Sequence, residues 1–476
     1  MKKQTLLATA ILSATLVGCG SDSDSNDVVD NTFTPCADSA TECVLKGVLK
    51  EDFTLKTGVE YTLDDVFQVG EGNGTIEDAA GIAAVKAAGV TLTIEPGVEV
   101  KANDDGVLLV TRGSKLDAEG TAANPITFAS SDAGYDGTGE WGGVVIQGFA
   151  PQYGAGDTGV CGAVVCNVAG EGGDFVGNYG GADKADNSGI IKYVRIAEAG
   201  KVAGPNNELN GLTLQGVGHG TTVDYVQVHG NLDDGIEWFG GTVNVTHAVL
   251  TNNDDDDIDF DEGYQGNIQH VIIMKDQDDA RTGPYGSNDP RAIEANSSDE
   301  DYVPQTAATI ANVTILGSKI NNVVDKEEPG MRLRGSVTAN IYNTVVAGFT
   351  DQCVRIDYSD HDGDSYLEDG ETKNDDASAK IPSVVNLTNI VASDCGSTFK
   401  KENPDTNVNL VEADIAFDTA FALTSNGTVA STTPVATDNG SNFVFDTTTY
   451  VGAVAPGQAA ATAWYAGWII DGSLDR

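Results

Sequence analysis

Apolar positions along this chain come in short runs of β-branched or aliphatic residues, each bounded by Gly, Asn or Asp. Such runs predict many short strands joined by turns. Val90-Thr91-Leu92-Thr93-Ile94, Val107-Leu108-Leu109-Val110, Ile126-Thr127-Phe128 and Val144-Val145-Ile146 are four of them. Helical periodicity is nearly absent, and the one candidate helix is the alanine-rich stretch Ile76 to Ala88. Further along, the runs repeat. Tyr193-Val194-Arg195-Ile196, Tyr225-Val226-Gln227-Val228, His247-Ala248-Val249-Leu250, His270-Val271-Ile272-Ile273, Asn312-Val313-Thr314-Ile315, Asn343-Thr344-Val345-Val346 and Asn389-Ile390-Val391-Ala392 each set a polar or aromatic ring residue before a short apolar strand. Their starting points lie 32, 22, 23, 42, 31 and 46 residues apart. The two shortest intervals match one coil of a parallel β-helix; the longer ones match one coil with an inserted loop, or two coils. A coil of that size cannot bury its apolar face alone and must stack on its neighbours. The expected fold class is therefore all-β, a single-stranded right-handed parallel β-helix (solenoid) with inserted loops.

The same alignment assigns His247 and His270. As two of only five histidines they invite a metal or a catalytic role, yet they share their coil position with Asn312, Asn343 and Asn389. Stacked side chains at a β-helix turn hydrogen-bond along the column, which suits both Asn and His. The two histidines are read as rungs of that ladder.

The first residues address the compartment. Lys2 and Lys3 precede an apolar run from Thr5 to Leu16, followed by Leu16-Val17-Gly18-Cys19. This resembles the lipobox of bacterial lipoproteins. The resemblance implies that residues 1–18 are a signal peptide, that Cys19 is acylated as the lipid anchor, and that the membrane is a partner only through that lipid. Gly20 in place of Asp does not meet the family rule for inner-membrane retention, so the outer membrane and the cell surface are expected. Residues 19–43, rich in Ser, Asp, Asn and Thr, read as a flexible tether. The β-helix is expected over 44–476, with inserted loops at about 276–308 and 357–380 and a C-terminal cap holding Trp464 and Trp468.

The formal charge is −46, and loss of residues 1–18 leaves 24 basic against 72 acidic residues, or −48. Nucleic acid is excluded as a partner, since phosphate binding needs Lys and Arg clusters. Divalent cations are the natural counter-ions, while many of the carboxylates serve only solubility. The six cysteines besides Cys19 suit an oxidising compartment. Their spacing points to Cys36–Cys43, Cys161–Cys166 and Cys353–Cys395, one choice among the 15 pairings that six cysteines allow.

Several segments together carry a further resemblance: Leu92-Thr93-Ile94-Glu95-Pro96-Gly97-Val98, Val110-Thr111-Arg112-Gly113-Ser114-Lys115-Leu116, Asp233-Asp234-Gly235-Ile236-Glu237-Trp238-Phe239-Gly240-Gly241-Thr242, Asp255-Asp256-Asp257-Ile258-Asp259-Phe260 and Gly330-Met331-Arg332-Leu333-Arg334-Gly335. With them the chain resembles a family of right-handed β-helix surface lipoproteins of marine Gram-negative bacteria and Bacteroidota, over nearly all of residues 45–476. The resemblance implies the fold and no particular reaction.

Two acidic regions could hold calcium. In Asp360-His361-Asp362-Gly363-Asp364-Ser365-Tyr366-Leu367-Glu368-Asp369-Gly370-Glu371, acids fall at positions 1, 3, 5, 9 and 12 of an EF-hand-like loop. The ligands would be Asp360, Asp362, Asp364, the Tyr366 carbonyl, Glu368 and Glu371. Gly363 at position 4, Ser365 at position 6 and the lack of flanking helices depart from that motif, so the loop is read as an insertion bracketed by Cys353 and Cys395. The second region joins Asp233, Asp234 and Glu237 to Asp254, Asp255, Asp256 and Asp257 one coil later, with Asp259, Asp261, Glu262, Asp276, Asp278 and Asp279 nearby. Parallel stacking in register brings successive coils about 4.8 Å apart, and such a carboxylate column repels itself unless ions or protons intervene.

Two functions are carried forward. The first is a calcium-stabilised surface lipoprotein with a non-catalytic binding or adhesive role toward extracellular polysaccharide, matrix or a surface protein. The alternative is a calcium-dependent polysaccharide lyase or glycoside hydrolase working through Asp256, Lys275 and Arg291. Trp141, Trp238, Tyr264 and Tyr285 are read as core aromatics in preference to a sugar-stacking platform. No nucleophile elbow, P-loop, HExxH or Rossmann fingerprint occurs.

Overall fold

The computed structural model describes residues 31–153, 165–203, 208–276, 290–297, 303–318, 328–357, 384–401, 406–424 and 430–475. The compact unit is Thr32–Arg476. Residues 1–30, with Cys19, lie outside the described residues, as does the whole Asp360–Glu371 loop.

The described strands form a parallel β-helix: 25 of them belong to one parallel ladder system, and a two-stranded antiparallel pair lies apart. A repeat is visible in Thr222–His229, which pairs in parallel with Asn244–Thr251, then with Asn267–Met274, then with Ala307–Leu316. Within each of these strands alternate residues enter the core, as do Val226, Val228, Ala248, Leu250, Val271, Ile273, Val313 and Ile315. One helix, Ala79–Ala88, is capped by Asp78, whose side chain accepts from Gly81 N at 2.8 Å. It starts three residues later than expected because Ile76 is buried ahead of the cap.

The seven repeat positions share one conformation. Tyr193, Tyr225, His247, His270, Asn312, Asn343 and Asn389 all have φ between 50° and 61°. A left-handed residue inside a strand bends it, so one strand supplies two sides of the coil. The conformation costs a non-glycine residue about 1 kcal/mol, and stacking offsets it. Tyr193 lies on Tyr225 at 4.4 Å between ring centroids, Tyr225 on His247 at 4.2 Å and His247 on His270 at 5.0 Å. Asn389 donates to Asn343 Oδ1 at 3.2 Å. Asn312 instead accepts from Gln269 at 3.1 Å.

Three boundary expectations are corrected. The folded body starts at Thr32, not at residue 44: Thr32 bridges Val48, and the buried Phe33 ring meets Phe53 and Phe67 at 5.2 and 4.9 Å. The 276–308 region is not a single inserted loop, because Ile293–Ala295 is a strand of the ladder between Ile258–Asp261 and Met331–Leu333. The 42-residue interval is thus one coil.

The C-terminal segment is not an end cap. It runs back along the side of the solenoid, its backbone N–H groups held by coil side chains: Thr432 N donates to Asn343 Oδ1, Thr437 N to Asn267 Oδ1, Asp446 N to Gln269 Oε1, Ala453 N to Thr314 Oγ1 and Ile470 N to Gln227 Oε1. Its apolar residues Val454, Tyr465 and Trp468 pack on Val249, Ile272 and Met274 of the coil flank, while its backbone satisfies a column of amides and hydroxyls.

Cys36–Cys43 and Cys353–Cys395 are disulfides. Cys166 is disulfide-bonded too, and Cys161 lies outside the described residues. Trp141, Trp238 and Tyr264 are fully buried in the core; Tyr285 lies outside the described residues.

Candidate metal centre

The centre grows from a 22-residue repeat. Asn231-Leu232-Asp233-Asp234-Gly235-Ile236-Glu237 in one coil becomes Asn253-Asp254-Asp255-Asp256-Asp257-Ile258-Asp259 in the next. Parallel pairing then aligns Ile236, Ile258, Ile293 and Met331 as one inward column, and Trp238, Phe260, Ala295 and Leu333 as another. The column between them faces outward: Thr213, Glu237, Asp259, Glu294, Arg332 and Arg355. Three carboxylates are therefore followed by two guanidinium groups along one line.

The turn before these strands adds a second column. Asn210 Oδ1 accepts from Asp234 N at 3.2 Å, Asp234 Oδ1 from Asp256 N at 2.9 Å, and Asp256 Oδ1 from Arg291 N at 2.9 Å. Each side chain fixes the backbone of the next coil, so the turn carboxylates are held rigidly beside the outward column. Three overlapping triplets result: Asp233, Asp234 and Asp255; Asp234, Glu237 and Asp259; Asp256, Asp259 and Glu294. In each, one oxygen per residue lies within 4.8 Å of the others. Asp234 and Asp259 are each shared by two triplets.

The electrostatics fit a cation. Burial is the first cause that pushes the carboxyls of Asp233, Asp234, Glu237 and Asp259 well above the usual range; Asp255 adds to it at Asp233, Asp233 at Asp234, Glu171 at Glu237 and Glu294 at Asp259. Burial likewise raises Asp256, against the opposing pull of Arg291. Glu171, from a loop over the site, is pushed up to about 7 by burial. Asp259 Oδ1 is buried without a hydrogen-bond partner. Carboxylate oxygens at this density are the donor set of a hard divalent cation, which takes six to eight oxygens at about 2.3–2.6 Å.

The sequence-derived candidates divide here. Asp233, Asp234, Asp255 and Asp256 come together. Asp257 does not join them: it turns inward, fully buried, and pairs with Lys275 at 2.9 Å. Lys275 stands 22 residues after Asn253, which stands 22 after Asn231, so its ammonium continues a turn ladder and donates to the Asn253 and Asp255 carbonyls. The trio Asp256, Lys275 and Arg291 is therefore split. Arg291 meets Asp256 at 3.4 Å, Glu294 at 2.9 Å and Glu328 at 3.2 Å, while Lys275 sits behind the site. Arg332 and Arg355 both bind Asp357, and Arg334 binds Glu294. Asp278 and Asp279 lie outside the described residues.

Sequence reasoning missed Glu171 and Glu294. Glu294 had a signal, since Ile293-Glu294-Ala295 matches the spacing of Ile236-Glu237-Trp238 and Ile258-Asp259-Phe260. Glu171 comes from a loop and had none.

No curated protein matches this chain. Among solved structures it is similar to the catalytic domain of a GH87 alpha-1,3-glucanase in complex with tetrasaccharides, at 11% identity and TM-score 0.26, over 74% of this chain and 68% of that one. It is also similar to an alginate lyase from Paenibacillus sp. str. FPU-7, at 14% identity and TM-score 0.19, over 73% of this chain and 98% of that one. The family model for the pectate-lyase like beta helix domain matches residues 47–383, and with the parallel ladder and the repeating coils the chain belongs to that β-helix family.

Proposed function

We propose that this protein is a lipid-anchored surface protein whose acidic β-helix face holds divalent cations, calcium first among them, and through them binds extracellular polysaccharide without cleaving it. The observation that carries the reading is the chain of three carboxylate triplets sharing Asp234 and Asp259. A bound cation replaces the protons that such a column otherwise needs and leaves coordination positions for hydroxyl or carboxylate oxygens of a ligand. The outward column advances about 4.8 Å per coil, which gives a linear polymer an extended track. The anchor rests on Leu16-Val17-Gly18-Cys19, and the loop Asp360–Glu371 is a second proposed calcium site.

Retention of the full chain on a panel of immobilised neutral and acidic polysaccharides tests this. Binding to at least one is expected in millimolar calcium, at least tenfold weaker in chelator and in Asp259→Asn. Equal retention with and without calcium contradicts the reading.

A glycoside hydrolase is the second reading, favoured by the raised carboxyls of Asp234, Glu237 and Asp259 in one triplet. Release of reducing ends from the same panel, abolished by Asp259→Asn, would establish it over the binding role.

A further inference from the structure

The C-terminal segment crosses the one stretch of the ladder that is built from rings. Trp468 meets Tyr193 and Tyr225 edge-on at 5.9 Å, and Trp464 lies 6.4 Å from Tyr225 and 5.2 Å from His247. Beneath them the imidazoles of His247 and His270 stack at 5.0 Å and 16°. The His270 side chain is 7% exposed and that of His247 18%.

Charged and titratable groups face the pair from every side. The strand Gly189–Ala197 brings Lys192, 3.4 Å from Asp224, and Tyr193. The strand Thr222–His229 brings Tyr225 and Asp224, whose carboxylate takes His247 Nδ1 at 2.8 Å. Ala307–Leu316 offers the neutral Asn312. From the C-terminal segment comes Asp446, 3.5 Å from His270 Nε2 and 74% exposed. His247 thus has a carboxylate at hydrogen-bond distance. His270 has the exposed Asp446 carboxylate at 3.5 Å and the Ala453 backbone of the C-terminal segment, both of which favour a proton on it, but burial and the second imidazole stacked against it oppose that proton more strongly.

We propose that residues 443–470 form an acid-released strap, closed over the ring stack while His270 is neutral and let go when His270 takes a proton. Burial first and His247 second hold His270 down, from 6.5 to about 4. The sign follows. A histidine whose closed-state value is lowered gives the closed state stability above pH 6.5 that is lost as pH falls toward 4. With those two values the released fraction rises about 20-fold between pH 7 and pH 5. The carboxylates of the metal centre act in the opposite sense, because acid neutralises their repulsion, so loosening of the strap is separable from loosening of the solenoid.

Hydrogen exchange of the full chain, resolved by peptide and corrected for intrinsic rates, tests this. Peptides within 443–470 are expected to exchange about 20-fold faster at pH 5 than at pH 7, with the core strand Ala307–Leu316 exchanging no faster. His270→Asn installs the residue that occupies this position in the next three coils, so it should keep the protection at pH 7 and abolish the acid response. His247→Asn removes the neighbouring imidazole and should shrink the response. A strap whose exchange does not change with pH, a strap and core that open together, or the full response in both variants would overturn the proposal.

Discussion

Without divalent cations, the protein is expected to lose stability as pH rises from about 4 to 8, opposite to the acid lability of most folded chains. The cause is the number of carboxyls that burial raises. A carboxyl whose folded-state value lies above its unfolded value contributes stability below the unfolded value and loses it as pH climbs through the folded one. Asp257 is held at about 6 against 3.8 by burial, despite Lys275. It alone removes about 3 kcal/mol across that window. Asp234, Glu237, Asp256 and Asp259 are raised by burial in the same direction. A cation in the triplets opposes the trend, adding about 2.7 kcal/mol at one hundred times its dissociation constant. Denaturant titration at pH 4.5, 6 and 8, in chelator and in calcium, reads both slopes. A chelated protein that is more stable at pH 8 than at pH 4.5 would contradict the account.

Replacing Arg291 by Met should be the most damaging single change near the centre. The guanidinium is 2% exposed and joins Asp256, Glu294 and Glu328, groups that come from three different segments. Removing it leaves buried carboxylates facing one another, a loss of about 3–5 kcal/mol. Arg334→Met, at a side chain 26% exposed, should cost about 1 kcal/mol or less. Calcium should return part of the Arg291→Met loss, because the Asp256, Asp259 and Glu294 triplet can take a cation where the guanidinium charge was. Equal losses for the two arginines would mean that the ion-pair network does not hold the coils together.

Much of the fold could be read before the structure, because a solenoid writes its period into the chain. The seven ladder residues were aligned from sequence, and all seven carry the left-handed conformation that makes the corner. The column of Asp233 and Asp234 over Asp255 and Asp256 followed from the same 22-residue register. The spacing did not separate Asp257 from its neighbours: it lies in the bend before the strand Ile258–Asp261, where it is buried and pairs with Lys275. Segments without a period were the least legible. Phe33 is a lone aromatic in a polar stretch, and its burial depends on a core end formed by Phe53 and Phe67, distant in sequence. The C-terminal strap has no strand pattern because its backbone binds to side-chain amides on the coils, Asp446 N to Gln269 and Ile470 N to Gln227. Glu171 reaches Glu237 from an insertion whose path no pattern encodes.

The most direct test is calorimetric titration of calcium into the chelated full chain, with the variant Asp234→Asn/Asp259→Asn beside the wild type and Asp362→Ala to silence the Asp360–Glu371 loop. The account predicts heat of binding that survives Asp362→Ala and is lost when Asp234 and Asp259, the two shared ligands, are replaced. No heat at millimolar calcium, or heat unchanged in the double variant, would mean that these carboxylates do not form a metal centre.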